Sequence, residues 1–230
     1  MLVGIHGSAR RDMISIQKKF LFIHVPKTGG NSIQNILRCY SEDEIVTQAE
    51  YQDGVERFGV RNTKYNTTKH FTLSQYRSVL DAQTYRSLFK FATIRNPWDM
   101  LISFYFSPHR GEIKWDRNEF LTMVNDLSTL RHYICEQTYL ERVLSRFGIH
   151  RVIGSKKLDR DIDFLMRFEQ LDNDFKVVCE KLDIPHSPLP KRNSSVRSHY
   201  SKYYDDKLRE IVRQKFLEEI EFGNYSFENA

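Results

Sequence analysis

Two short segments of this 230-residue chain carry residue types and spacings suited to gripping an anion. In the first, Pro26-Lys27-Thr28-Gly29-Gly30-Asn31-Ser32 gathers a lysine, two glycines and two hydroxyls into one turn. Glycine lets backbone N–H groups approach an anion, a helix N-terminus adds partial positive charge, and Lys27 adds a full one. The order differs from the nucleotide-binding loop that closes on Gly-Lys-Ser/Thr, because Lys27 precedes Gly29-Gly30. In the second segment, Arg95-Asn96-Pro97 is followed eight positions after the arginine by Ser103. The planar donor fork of arginine suits phosphate, and a serine about two helical turns further on faces the same groove. Each segment also has a plainer reading. Glycine at a strand end is common punctuation, and Arg95 can simply pair with Asp99 at a helix start.

The surrounding elements decide whether these residues can meet. Phe20-Leu21-Phe22-Ile23-His24-Val25 is an apolar run rich in aromatic and β-branched residues, which predicts a buried strand. Ile33, Ile36, Leu37 and Tyr40 recur at helical spacing after the glycine turn. The second segment repeats the order. Leu88 to Ile94 reads as a strand, Pro97 suits the first turn of a helix, and Trp98, Leu101, Ile102, Tyr105 and Phe106 form its inner face. A helix is expected from Thr72 or Ser74 through Leu80, mostly helical chain over 116–147, a third strand over 162–168, and helices over 171–182 and 203–222. Residues 1–19 read as a loose arm, 41–69 as a variable loop, and Pro185, Pro188 and Pro190 open a loop running to 199. Strands alternating with helices predict an α/β domain with a parallel sheet, and ligands of such sheets bind at the strands' C-terminal ends. No interdomain linker stands out, so residues 1–230 are expected to form one domain.

Composition narrows the class. With 40% hydrophobic and 13% aromatic residues, the chain is not disordered, collagenous or a coiled-coil rod. No apolar run approaches the roughly 20 residues that cross a bilayer, and Arg10, Arg11, Asp12, Lys18 and Lys19 interrupt any leader-like core. Three widely spaced cysteines imply neither a disulfide framework nor a zinc site. A cytoplasmic, reduced protein is expected. The net charge of +5 is concentrated: residues 1–40 carry six Lys/Arg against one Asp, and residues 186–215 carry eight against three acids. Two basic segments in a nearly balanced chain suggest a site for an anionic ligand assembled from both ends, although on charge alone two solvated faces are the plainer reading. No zinc finger or RNA-binding signature directs the charge toward nucleic acid.

Together the two segments resemble the sulfotransferases, and most closely the carbohydrate (membrane-associated type) sulfotransferase family. His24-Val25-Pro26-Lys27-Thr28-Gly29-Gly30-Asn31-Ser32 resembles that family's 5′-phosphosulfate loop, and Arg95 through Ser103 its 3′-phosphate segment. Arg167-Phe168-Glu169, Asp174-Phe175, Tyr203-Tyr204 and the closing Phe222-Gly223-Asn224-Tyr225-Ser226-Phe227 follow the family's usual order. Two departures stand out. Asn31 occupies a position where Thr or Ser is more usual, and no membrane anchor is evident, as in a soluble, bacterial-type relative or a catalytic domain without its anchor.

The resemblance implies a P-loop-like three-layer fold with a central parallel sheet flanked by helices. It implies 3′-phosphoadenosine-5′-phosphosulfate (PAPS) as donor, PAP as product, no metal, and a hydroxyl of a glycan or glycoconjugate as acceptor. Lys27 would neutralise the leaving 5′-phosphate, held also by the N–H groups of Thr28, Gly29, Gly30 and Asn31 and the hydroxyls of Thr28 and Ser32. Arg95 and Ser103 would hold the 3′-phosphate. For the general base, His70 in a His-x-Thr-like segment ranks first, with His199 and Glu169 behind it, whereas His24 reads as structural. Lys191, Arg192 and Arg197 belong to the proline-rich loop, for which an ordinary exposed loop is the plainer reading. Two rival functions remain open: a kinase using ATP, and a non-catalytic binder of nucleotides or anionic polymers.

Overall fold

The computed structural model describes residues 13–42, 44–47, 58–62, 64–65, 67–107, 110–111, 113–136, 157–190 and 197–229. In chain order the strands are β1 (Ile14–Ser15), β2 (Phe20–Ile23), β3 (Glu44–Thr47), β4 (Phe58–Asn62), β5 (Thr67–Thr68), β6 (Phe89–Ile94) and β7 (Phe164–Arg167). The main sheet has the spatial order β1-β2-β6-β7, with β2, β6 and β7 parallel and β1 antiparallel to β2. The helices are α1 (Gly30–Leu37), α2 (Leu73–Val79), α3 (Ala82–Ser87), α4 (Pro97–Tyr105), α5 (Arg117–Asp126), α6 (Leu130–Ile134), α7 (Leu171–Leu182), α8 (Asp206–Lys215) and α9 (Leu217–Gly223).

Alternation along the strands sends side chains to both faces, and both faces are covered. Phe20 and Phe22 of β2, Phe91 of β6 and Met166 of β7 pack with Ile33 and Leu37 of α1 and with Phe175, Val178 and Leu182 of α7. Leu21, Ile23, Ala92 and Ile94 face the other way, toward Leu73 and Tyr76 of α2, Tyr85 of α3 and Ile134 of α6. This is the expected three-layer α/β architecture. A further apolar cluster joins Trp98, Leu101 and Tyr105 of α4 to Phe120 of α5 and Leu208 and Val212 of α8. Each fully buried Phe or Leu in these layers contributes about 1.5–3 kcal/mol, which fixes the strand ends from which both anion-suited turns depart.

Local chemistry sets the boundaries. Thr72, not Ser74, caps α2 through a capping box with Gln75. The helix expected over 203–222 divides, because the Asp205 carboxylate accepts from Leu208 N and starts α8 afresh, while buried Phe216 separates α8 from α9. Two expectations are corrected. Residues 13–19 are not a loose arm: Met13 and Ile14 are buried, β1 pairs with β2, and Phe22 N donates to Met13 O. Part of the 41–69 segment is a three-stranded antiparallel sheet, β3-β4-β5, rather than a loop. Residues 1–12, and 137–147 of the expected helical stretch, lie outside the described residues.

Candidate functional site

The glycine turn follows β2 directly. Lys27 and Gly29 both adopt left-handed backbone, with φ of 63° and 86°, which reverses the chain between strand and α1. The glycines are demanded by contacts on their protein side. A Cβ on Gly29 would meet Leu171 Cδ2 at 2.6 Å, and one on Gly30 would come within 2.2 Å of the His24 ring. Two hydroxyls pin the turn, Thr28 Oγ1 donating to Val25 O at 2.9 Å and Ser32 Oγ to Pro190 O at 2.6 Å. Both protons are thus engaged with backbone, which differs from the expected phosphate contacts. Helix α1 begins with no side-chain cap and no acidic residue in its first turn. Ser32 N closes onto Gly29 O, so the N–H groups of Gly30 and Asn31 remain as the positive end of the helix. Lys27 Nζ donates to Ser107 Oγ at 3.0 Å, just beyond α4.

The second turn is built from side chains. Asn96 caps α4 by accepting from Trp98 N at 3.1 Å, with Pro97 in the first turn. Arg95 is buried, and its guanidinium lies 3.9 Å from the centroid of the Phe168 ring. Its Nε donates to Asp99 Oδ2 at 3.0 Å, its Nη2 also contacts that oxygen, and its Nη1 donates to Lys27 O at 2.7 Å. The pairing with Asp99 and a bridge to the glycine turn therefore coexist. Asp99 Oδ1 accepts from Arg197, so one carboxylate holds two guanidinium groups. Burial works to raise the Asp99 pKa, but Arg95 and Arg197 outweigh it and hold it below the ordinary aspartate value. Ser103 is buried one helical turn beyond Asp99 and one turn before Ser107. Its four-residue spacing from Asp99 puts it on the face of α4 that carries the Arg95 contact.

A pair of histidines adjoins the glycine turn. His24 is fully buried, stacks on Phe22, and meets the His70 ring edge-on at 4.9 Å between centroids. Burial, then the Lys69 and His70 charges, push its pKa well below the ordinary value, so it is neutral. Its Nδ1 has no partner among the described residues. His70 is exposed as a residue, yet its Nδ1 lies 2.9 Å from His24 O. A carbonyl only accepts, so His70 carries its proton on Nδ1 and presents the basic lone pair at Nε2. The protein packed around the ring lowers its pKa, opposed by that hydrogen bond and aided by Lys69. Lys69 itself donates to Asn31 Oδ1 at 2.6 Å.

The other base candidates are engaged elsewhere. Glu169 accepts from Asn96 N at 2.8 Å and Tyr225 OH at 2.9 Å, tying the second turn to the C-terminal segment. His199 Nδ1 caps the 3-10 turn at Tyr200–Tyr203. Lys191 and Arg192 lie outside the described residues. Sequence reasoning missed Ser107, Lys69 and the junction at Asp99. The four-residue spacing Asp99, Ser103, Ser107, whose last member lies just past the end of α4, was the available signal for Ser107.

Behind both turns lies a cavity of about 30 Å³, bordered by Thr28, Thr93, Arg95, Met100, Tyr133 and Glu219 among others. Thr93 Oγ1 is buried there without a partner among the described residues. Glu219 accepts from Leu130 N at 2.6 Å, and burial pushes its pKa up to about 7.

Among the described residues, no helix is long and apolar enough to cross a membrane, and no three His, Cys, Asp or Glu side chains group as metal ligands would. A family model described as "Sulfotransferase family" matches residues 11–226. No curated protein matches the chain.

Proposed function

The chain belongs to the sulfotransferase family, and from that premise we propose that it transfers the sulfuryl group of PAPS to a hydroxyl of a carbohydrate or glycoconjugate. The fit of the residues to this donor rests on the chemistry of the two turns. Lys27 and the first-turn N–H groups of α1 form a cationic, donor-only surface suited to the 5′-phosphate. Arg95 and Ser103 supply a cation and a hydroxyl for the 3′-phosphate, the feature that separates PAPS from ATP. Thr28 and Ser32 act by holding the shape of the turn, since their protons go to Val25 O and Pro190 O.

In the reaction, His70 Nε2 takes the acceptor hydroxyl proton as the new oxygen–sulfur bond forms. The bond from sulfur to the bridging oxygen breaks, its electron pair stays on the 5′-phosphate, and Lys27 neutralises the charge that builds there. The lowered pKa of His70 keeps the imidazole neutral and ready to accept at neutral pH. The observation that carries the reading is the hydrogen bond from Arg95 Nη1 to Lys27 O, which joins the two anion-suited turns into one site. The carbohydrate acceptor rests on the motif resemblance alone. The family match lends no support to the ATP-dependent kinase reading.

Calorimetry with PAP, and separately with ATP plus magnesium, tests the donor. PAP is expected to bind wild type and to bind Lys27→Ala and Arg95→Ala far more weakly. Equal binding by all three proteins, or preference for ATP, would sink the proposal. Transfer from labelled PAPS to a glycan panel separates an enzyme from a binder, and undiminished turnover in His70→Ala would reassign the base.

A further inference from the structure

Two segments far apart in the chain meet beside the second turn. At the end of β7, Arg167 Nη1 donates to Gly223 O at 2.5 Å, and the Phe168 ring lies against the Arg95 guanidinium. Glu169 then uses both carboxylate oxygens, Oε1 accepting from Asn96 N at 2.8 Å and Oε2 from Tyr225 OH at 2.9 Å. Tyr225 reaches that carboxylate because α9 ends in left-handed backbone at Asn224, with φ of 49°. Gly223 leaves room for its ring, since a Cβ there would stand 2.1 Å from Tyr225 Cε2. Ser226 O accepts from Asn96 Nδ2 at 3.2 Å, and Phe227 anchors the segment edge-on against Trp98, Tyr200 and Tyr204. Asn96 is thereby held through its main-chain N and its Nδ2, while its Oδ1 caps α4.

This arrangement bears on Arg95, the adjoining residue. Its Nε and Nη2 are turned to Asp99 and its Nη1 to Lys27 O, which leaves one N–H on each terminal nitrogen for an anion. The Glu169 charge is felt at Arg95. A Glu169 carboxylate released from its partners would compete for those N–H groups and repel a phosphate there. We propose that Tyr225 is a positioning residue for the 3′-phosphate: its hydroxyl holds the Glu169 carboxylate against Asn96 N, so that Arg95 keeps its remaining N–H groups for the ligand. This rests on the reading of Arg95 as the 3′-phosphate residue. Tyr225 acts through Glu169 and Asn96, not by contact with the reacting atoms.

The test measures binding of PAP and of adenosine 5′-phosphate, which lacks the 3′-phosphate, to wild type, Tyr225→Phe and Asn96→Ser. The ratio of the two affinities isolates what the 3′-phosphate contributes. Tyr225→Phe keeps the ring and removes only the hydroxyl. It lowers the ratio about three- to tenfold, by weakening PAP while adenosine 5′-phosphate binds as to wild type. Asn96→Ser keeps a capping oxygen for α4 but loses the donor to Ser226 O, and lowers the ratio about two- to fivefold. In turnover, Tyr225→Phe raises the KM for PAPS and leaves kcat in place, because Lys27 and His70 are untouched. An unchanged ratio in Tyr225→Phe, equal losses of both ligands, or a fall in kcat with KM unmoved overturns the inference while the donor reading stands. If Tyr225→Phe does not fold, the ratio in Asn96→Ser decides, a wild-type value overturning the role. A wild type that binds PAP no better than adenosine 5′-phosphate overturns the donor reading itself.

Discussion

The units β2–turn–α1 and β6–turn–α4 lie side by side on parallel strands of one sheet, yet they begin their helices by opposite means. Helix α1 starts from a left-handed glycine with no side-chain cap and no acid in its first turn. Helix α4 starts from Asn96 and Pro97, with Asp99 beside its positive end. In the first unit the uncapped helix N–H groups and Lys27 supply the positive charge, while the hydroxyls of Thr28 and Ser32 hold the shape. In the second, side chains do both, and the charge is shared among Arg95, Asp99 and Arg197. The comparison teaches that one site can combine a rigid backbone cradle with a side-chain clamp whose cations are already neutralised in part. Substitutions should act on the two halves in different ways.

The largest separation is expected at the two cations. Lys27→Ala should lower kcat by about 100- to 1,000-fold, as removal of one transition-state donor does, with little change in the thermal midpoint. Arg95→Ala should destabilise the fold by about 3 kcal/mol as well as weaken PAP binding, because it strips a buried partner from Asp99 and the bridge to Lys27 O. Parallel melting curves and calorimetry check both, and an Arg95→Ala protein as stable as wild type would erase the distinction.

A smaller contrast lies in the helix starts. Gly29→Ala must hold a Cβ in left-handed backbone 2.6 Å from Leu171, for a cost of about 1–3 kcal/mol. Asn96→Ala removes an ordinary cap, for about 1 kcal/mol. Urea titrations of the pair would show the order.

The last effect is a slope rather than a single loss. Glu219, on the wall of the cavity behind both turns, has its pKa raised from 4.5 to about 7 by burial. The folded state favours its neutral form, so that stability is present below pH 4.5 and is lost as pH rises through 7. Wild type should therefore lose stability across this window, by at most about 1.4 kcal/mol per pH unit, and Glu219→Gln should be flatter. Urea midpoints measured from pH 4.5 to 7.5 would reveal the difference.

Local signals made much of this readable in advance. The strands before both turns announce themselves as short apolar runs stopped by Pro26 and by Asn96-Pro97, and Lys27 and Arg95 are recognisable by standing at those ends. The pairing of Arg95 with Asp99 was also legible, being four residues apart in a helix start. What escaped depends on distant partners. Nothing near Met13 or Ile14 says that they will be covered by the main sheet, and the β3-β4-β5 pairing joins segments with weak apolar alternation. Arg197 meets Asp99 across 98 positions, and Lys69 meets Asn31 across 38. No local spacing encodes either contact. The division of the last helix was missed because Asp205 was read as a helix interior residue, when its carboxylate is better used as a cap.

The open start of α1 ties the protein's thermodynamics to its ligand. With Gly29 as the N-cap residue, the Gly30 and Asn31 amides at the front of the helix await an outside acceptor. An anion seated there would slow the hydrogen exchange of these amides more than those at the Asn96-capped start of α4. Through mass action, PAP at a hundred times its dissociation constant would add about 2.7 kcal/mol to the unfolding free energy. The melting temperature of this protein would then serve as a gauge of how full its donor site is.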